Sequence, residues 1–175
     1  MILVDDGSTD NSFEIVRSIR DARVCVYSDR TNCGLPFRLN QIAQLAQGFY
    51  LARMDADDMM HPERLARQYK YLVENPKIDL VDSAVYSLDE HGIPAGVRGQ
   101  TELDLSPRSI IRKGLLIHPT IMGRRDWFRR NPYDPQFPRS QDYELWCRSA
   151  AHSTFSRIAE PLLFYREGRG SLRNY

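Results

Sequence analysis

The sequence predicts an α/β domain, a mostly parallel sheet with helices on both faces. Three observations predict it. Short apolar runs alternate with segments whose apolar residues recur at helical spacing, the pattern of strand–helix–strand units. The 175 residues suffice for one domain, 1–175, with one substantial core. Two of the apolar runs stop abruptly in acids, at Asp5-Asp6 and at Asp55-Ala56-Asp57-Asp58. In open α/β proteins, ligands bind at the carboxyl ends of strands.

Taken in order, residues 2–4 read as a buried strand. Asn11 can cap a helix, with Glu14 three residues on and Phe13, Val16 and Ile19 as its apolar stripe. Residues 24–27 form a short second strand. Residues 35–47 read as a helix with Leu39, Ile42, Ala43 and Ala46 on one face and Gly48 as its stop. Residues 49–54 are the strand that delivers the second set of acids. Pro62 suits a first helical position, and Leu65, Tyr69, Leu72 and Val73 space out a helix ending near Pro76. Residues 78–88 read as a strand closed by the turn Asp89-Glu90-His91-Gly92. Ser106-Pro107 opens a short helix towards Lys113. Residues 115–122 form a further strand, interrupted at His118-Pro119, and a loop rich in Pro and Arg follows. Ser140 can cap a helix through Ala150, packed through Leu145, Trp146 and Ser149. Residues 155–158 and 162–165 look extended. A buried parallel strand at residue 2 wants neighbours on both sides, so the sheet is expected to lack its amino-terminal strand.

Composition narrows the function. The 24 basic and 23 acidic residues nearly cancel, which leaves no global field for nucleic acid. Three cysteines without CxxC spacing argue against a disulfide framework or a zinc site and fit a reducing compartment. No apolar run approaches the ~20 residues that span a bilayer, and the amino terminus lacks a signal-peptide layout. A cytoplasmic location is expected. The arginines at 124–125, at 129–130 and in 166–173 read first as solvated surface, with contact to phosphate or an anionic membrane as the alternative.

Clustered carboxylates repel one another, and an all-oxygen set suits Mg²⁺ or Mn²⁺. An EF-hand is the obvious competitor for Asp-x-Asp spacing. It fails because Met60 stands at the glycine position and Ala66 at the twelfth.

Five blocks stand in sequence: Val4-Asp5-Asp6-Gly7-Ser8-Thr9-Asp10; Asn32-Cys33-Gly34-Leu35; Ala52-Arg53-Met54-Asp55-Ala56-Asp57-Asp58 with Pro62-Glu63-Arg64-Leu65; His118-Pro119-Thr120; and Gln141-Asp142-Tyr143-Glu144-Leu145-Trp146. In that order they resemble the family 2 glycosyltransferases of the GT-A fold, above all the branch that builds bacterial cell-surface polysaccharides. The resemblance implies a Rossmann-like α/β/α sandwich and an inverting transfer of a sugar from a nucleotide donor to a hydroxyl. It implies Asp142 as general base and Asp57 as ligand of a divalent cation. Asp55 would meet the cation or the donor ribose, and Asp5 and Asp6 the base and ribose. Arg38, Asn40 and His118 would complete the nucleotide-sugar site. A UDP-sugar is the expected donor, and a saccharide or lipid-linked saccharide the expected acceptor. Peripheral association with the inner face of the membrane and a homodimer are compatible with it.

The sequence departs from the family pattern in places. No Pro-x-Tyr-Asn strand end is present, Leu39-Asn40 stands where many members have Arg-Asn, and Gln141 replaces the usual Glu. Two other classes stay open. A nucleotidyltransferase or phosphotransferase would want a phosphate-cradling GxxxxGK[ST] loop, which is absent. The other is a non-catalytic remnant that binds nucleotide or sugar.

Overall fold

The computed structural model describes residues 1–113 and 115–167. The chain runs β1 (Ile2–Val4), α1 (Ser12–Arg17), β2 (Cys25–Tyr27), α2 (Leu35–Leu45), β3 (Tyr50–Ala52), β4 (Met59–Met60), α3 (Arg64–Glu74), β5 (Leu80–Leu88), β6 (Pro94–Arg98) and α4 (Pro107–Lys113). A 3-10 turn at His118–Thr120 leads into β7 (Met122–Arg124), α5 (Arg125–Arg130), α6 (Gln141–Ser149) and β8 (Phe155–Arg166).

The strands fall into two sheets. β1 and β2 pair in parallel. A larger six-stranded sheet has the order β3-β7-β5-β8-β4, with β6 also on β5. Its longest pairing, β5 with β8, is parallel. The pairings of β3 and β5 with β7, of β4 with β8 and of β5 with β6 are antiparallel. The α/β class therefore stands, but the large sheet is mixed rather than mostly parallel. The cause is local. β6 returns along β5 through the turn at residues 89–92, and β7 is reached from a 3-10 turn rather than from a crossover helix.

Helices cover both faces of the large sheet. Adjacent residues of β5 divide between them, as the strand period requires. Leu80 joins Ile121, Trp127, Leu145, Trp146 and Phe155 on one side. Val81 joins Leu72 of α3 and Met122 on the other. Gly123 lets β7 approach, because a Cβ there would lie 2.0 Å from Leu80 Cδ2.

Several predicted elements change on inspection. Of the strand expected at 115–122, only Met122 enters one, because Pro119 cannot donate to a ladder. The two extended pieces near the carboxyl end are one strand, and its register shifts beside the Ala84–Pro161 pair. Part of the stretch expected as a Pro- and Arg-rich loop forms α5, and β4 and β6 are additional short strands. Neither Asn11 nor Ser140 makes a side-chain cap bond. Asp10 instead accepts the Ser12 N–H at 3.0 Å. Among the described residues no helix is long and apolar enough to cross a membrane. Arg169 and Arg173, in the basic stretch noted above, lie outside the described residues.

Candidate functional site

The carboxyl end of β3 opens into the acidic run, and the backbone there is fixed before any side chain acts. The Arg53 N–H donates to Ile121 O at 3.0 Å. From α3, the fully buried Arg64 donates to Arg53 O at 2.7 Å, and Gln68 donates to Thr120 O at 2.7 Å. Helix α3 thus clamps the start of the acidic run and the His118–Thr120 turn together.

The three carboxylates of the run part company. Asp55 lies 2.5 Å from the guanidinium of Arg53. Asp58 is buried and accepts the Arg166 N–H of β8 at 3.0 Å. Burial, and then the like charges of Asp55 and Asp57, push its carboxyl up to about 6. Asp57 is exposed. Arg166 reaches its backbone carbonyl rather than its carboxylate. Among the described residues no three carboxylate, imidazole or thiol groups converge into a metal cage. The residues present nevertheless fit a divalent cation. One surface carboxylate, Asp57, suits a hard ion whose remaining ligands are phosphate oxygens and water.

Facing this run stands His118, 7% exposed. Its Nε2 lies 2.8 Å from the Tyr133 hydroxyl, and its Nδ1 lies 4.0 Å from Asp142 Oδ2 at the first turn of α6. Burial, and then the Arg53 cation, hold the imidazole well below its ordinary value, so it is neutral at pH 7. Burial also raises the Tyr133 phenol, assisted by the carboxylates of Asp142 and Asp55 and opposed by Arg53. The His118 ring thus stands between the Tyr133 hydroxyl and the first turn of α6.

The first acidic pair makes a separate cluster at the end of β1. Asp5 accepts the Ser8 N–H at 3.2 Å and the Ser28 hydroxyl at 2.8 Å. Asp6 accepts the Cys33 and Gly34 N–H groups at 2.8 and 2.9 Å and Arg38 Nε at 2.8 Å. Gly7 sits at φ +75°, where a Cβ would lie 2.9 Å from Asn32 N, so the loop can fold down only on a glycine. Arg38 is buried and also holds Asp29 at 2.7 Å and Thr31 O at 2.5 Å. Both oxygens of Asp6 and much of the Arg38 fork are thus used to shape the loop around residues 28–34.

Asn40 does something the sequence did not suggest. Its amide donates to Tyr133 O and accepts from Tyr133 N–H, both at 2.8 Å. Helix α2 therefore reaches Asp6 through residue 38 and Tyr133 through residue 40. The structure brings His118 and Asp142 to within 4.0 Å, pairs Asp55 with Arg53, gathers Asp5, Asp6 and Arg38 at the end of β1, and ties α2 to Tyr133 through Asn40.

Sequence reasoning did not single out the roles of Tyr133, Arg53, Arg64 and Gln68. Tyr133 lies in an irregular stretch, where no periodicity marks a buried side chain. For α3 a signal existed. Arg64 and Gln68 are spaced i, i+4 on the same face as Leu72, so two long polar residues share the buried face.

Away from these groups, an apolar cavity of about 280 Å³ lies between α4 and α6, lined by residues that include Leu105, Ile110, Ile111, Cys147 and Ala150.

The chain resembles known proteins over most of its length. The family model "Glycosyl transferase family 2" matches residues 1–137. An uncharacterized glycosyltransferase of Methanocaldococcus jannaschii is 32% identical over 171 residues, covering 95% of this chain and 59% of that protein. The putative glycosyltransferase EpsE of Bacillus subtilis is 33% identical over 156 residues, 85% of this chain and 55% of that protein. The O-antigen biosynthesis glycosyltransferase WbnJ of Escherichia coli is 27% identical, covering 95% of this chain and 67% of that protein. In structure the chain is similar to the TarS 1-349 fragment from S. aureus crystallised with UDP-GlcNAc. The TM-score is 0.77 at 20% identity, over 97% of this chain and 50% of that one. The chain thus spans somewhat more than half the length of the first two relatives and half of the solved fragment.

Proposed function

The chain belongs to glycosyl transferase family 2, and on that footing we propose that it moves a sugar from a nucleoside-diphosphate donor to a hydroxyl acceptor, inverting the anomeric carbon. The observation that supports this reading is the approach of Asp142 to buried His118, together with the Arg53–Asp55 pair at the carboxyl end of β3. A transfer of this kind needs a base on one side of the sugar and a sink for negative charge on the other.

Asp142 is the base in this scheme. It takes the acceptor's hydroxyl proton as the new C–O bond forms, and the diphosphate leaves with the electrons of the old one. Buried His118 stands beside one oxygen of that carboxylate. Asp57 is the cation ligand, with Asp55 beside it, and Mn²⁺ or Mg²⁺ bound there would offset charge growing on the leaving diphosphate. Asp5 and Asp6 meet the base and ribose at their exposed edges, and Arg38 and Asn40 hold those edges in shape. His118 borders the sugar.

UDP is the nucleotide we propose, supported by the bound UDP-GlcNAc of TarS. The acceptor we propose is a saccharide or lipid-linked saccharide of a bacterial surface polysaccharide, used at the cytoplasmic face of the membrane. The name of WbnJ supports that class. The three cysteines are unpaired, which suits a reducing compartment.

A thermal-shift series of nucleotide sugars with and without Mn²⁺ tests the proposal. The cognate donor at 100 times its Kd should stabilise the protein by ~2.7 kcal/mol, and Asp57→Ala should remove the Mn²⁺-dependent part. Turnover should release nucleoside diphosphate. Release of pyrophosphate would point to nucleotidyl transfer instead. A series in which no nucleotide sugar responds to Mn²⁺ would overturn the reading.

A further inference from the structure

We propose that Tyr133 is a positioning residue for the base Asp142, acting through His118: its hydroxyl donates to His118 Nε2 and so turns an Nδ1–H towards the Asp142 carboxylate. The proposal rests on the reading of Asp142 as base.

Geometry supplies the chain of contacts. Tyr133 O–H and His118 Nε2 are 2.8 Å apart inside the protein, and His118 Nδ1 faces Asp142 Oδ2 at 4.0 Å. The second gap is about one ångström longer than a hydrogen bond. A small turn of the Asp142 side chain, which is one-third exposed, or one water between the two would close it. Catalytic hydrogen bonds are commonly long before substrate arrives.

Electrostatics selects one proton arrangement. The charged and titratable groups that face the ring are Tyr133, Asp142 and Arg53. Burial keeps the phenol protonated and the imidazole neutral, so the ring carries a single N–H. If that hydrogen sat on Nε2, an Nδ1 lone pair would point at a carboxylate. With the hydrogen on Nδ1, the phenol donates to Nε2 and the ring donates to the carboxylate. The second arrangement satisfies every group, and the tautomer of a buried histidine follows the bond its other nitrogen makes.

Position is over-determined as well. Asn40 grips both the N–H and the C=O of Tyr133 from α2, in a segment without helix or strand. The His118 ring stands against Tyr133 and Trp146, with centroids 5.5 and 6.0 Å away. Below it, Thr120 Oγ1 donates to Ile117 O at 2.8 Å and accepts the Ser83 N–H at 3.0 Å. Such a ring cannot wander. It holds one oxygen of Asp142 and leaves the other free for the acceptor hydroxyl. The proton taken from that hydroxyl stays on Asp142, while His118 and Tyr133 keep theirs throughout.

Nuclear magnetic resonance of ¹⁵N-histidine-labelled full-length protein tests this without turnover, with the His118 signals assigned by loss in His118→Gln. The expected wild-type spectrum shows neutral Nδ1–H. Tyr133→Phe, which keeps the ring and its packing, should shift His118 towards the Nε2–H form. In the transfer assay the same variant should lose about fivefold in kcat, as for one hydrogen bond of ~1 kcal/mol. KM for the donor should be unchanged. An Nε2–H wild type, or a Tyr133→Phe variant with tautomer and kcat both unaltered, would overturn the proposal. An Nδ1–H wild type that transfers no sugar from any nucleotide donor would instead overturn the base role of Asp142, and the positioning role with it.

Discussion

At the scale of single residues, what separates a proton-accepting carboxylate from one that also shapes its loop is the number of lone pairs already committed. Asp6 has both oxygens engaged by three donors, whereas Asp142 meets only the edge of an imidazole at 4.0 Å. Asp142→Asn is isosteric and should lower kcat ~10²–10⁴-fold, while thermal-shift titration still reports donor binding. The committed acids give a different prediction. The Arg38 guanidinium holds the Asp29 carboxyl down from its ordinary 3.8 to about 2. Burial pushes Asp6 up, but the Cys33 and Gly34 N–H groups and Arg38 outweigh it and keep it below the ordinary value. Both groups have folded values below their unfolded ones. Their stabilisation is complete above pH 3.8 and is lost as pH falls towards 2. Urea midpoints of wild type and Arg38→Met should therefore draw together across that window.

At the scale of elements, a polar pair inside two strands fixes the segment that runs beside them. Asp82 of β5 is fully buried and bonds Arg157 of β8 at 2.5 Å. The pair then reaches outwards, accepting the Ile117 N–H at 2.8 Å and donating to Leu115 O at 3.1 Å. It thereby sets the segment that carries His118. Asp82→Ala strands a buried guanidinium and should cost ~3–5 kcal/mol in urea unfolding, with much of the loss recovered in Asp82→Leu/Arg157→Met. These elements also show what the sequence could and could not reveal. Helix α3 was legible because Leu65, Leu72 and Val73 recur over three turns. Arg125-Asp126-Trp127-Phe128-Arg129-Arg130 is less than two turns long, too short for a period to emerge, and only burial of Trp127 and Phe128 makes it a helix. The acidic strand end was legible as a cluster. That Asp58 would turn inward to β8 was not, because that choice depends on a strand distant in sequence.

At the scale of the whole molecule, the division into two sheets governs the mechanics. β1 and β2 bond to each other, and among the described residues to no strand of the larger sheet. β1 is half-buried and β2 is exposed at both ends, whereas β5 is buried at nearly every position. Amides of residues 2–4 and 25–27 should exchange hydrogen much faster than those of residues 80–88, and the cognate nucleotide sugar should slow the former most. Equal protection of the two sheets in the absence of ligand would contradict this. Sequence patterning could not expose the division, because it identifies strands without saying which edges meet.

Helix α2 ties the loop after β1 to the stretch before α6, gripping Asp6 with residue 38 and Tyr133 with residue 40. On the proposed reading, a donor that touches both would serve as a splint across a joint that α2 already holds. Part of its binding energy then goes into stiffening the joint, so substitutions that brace the joint beforehand should tighten binding without touching the sugar. Grip on the nucleotide and rigidity of the fold become a single property, tunable from the back of the molecule.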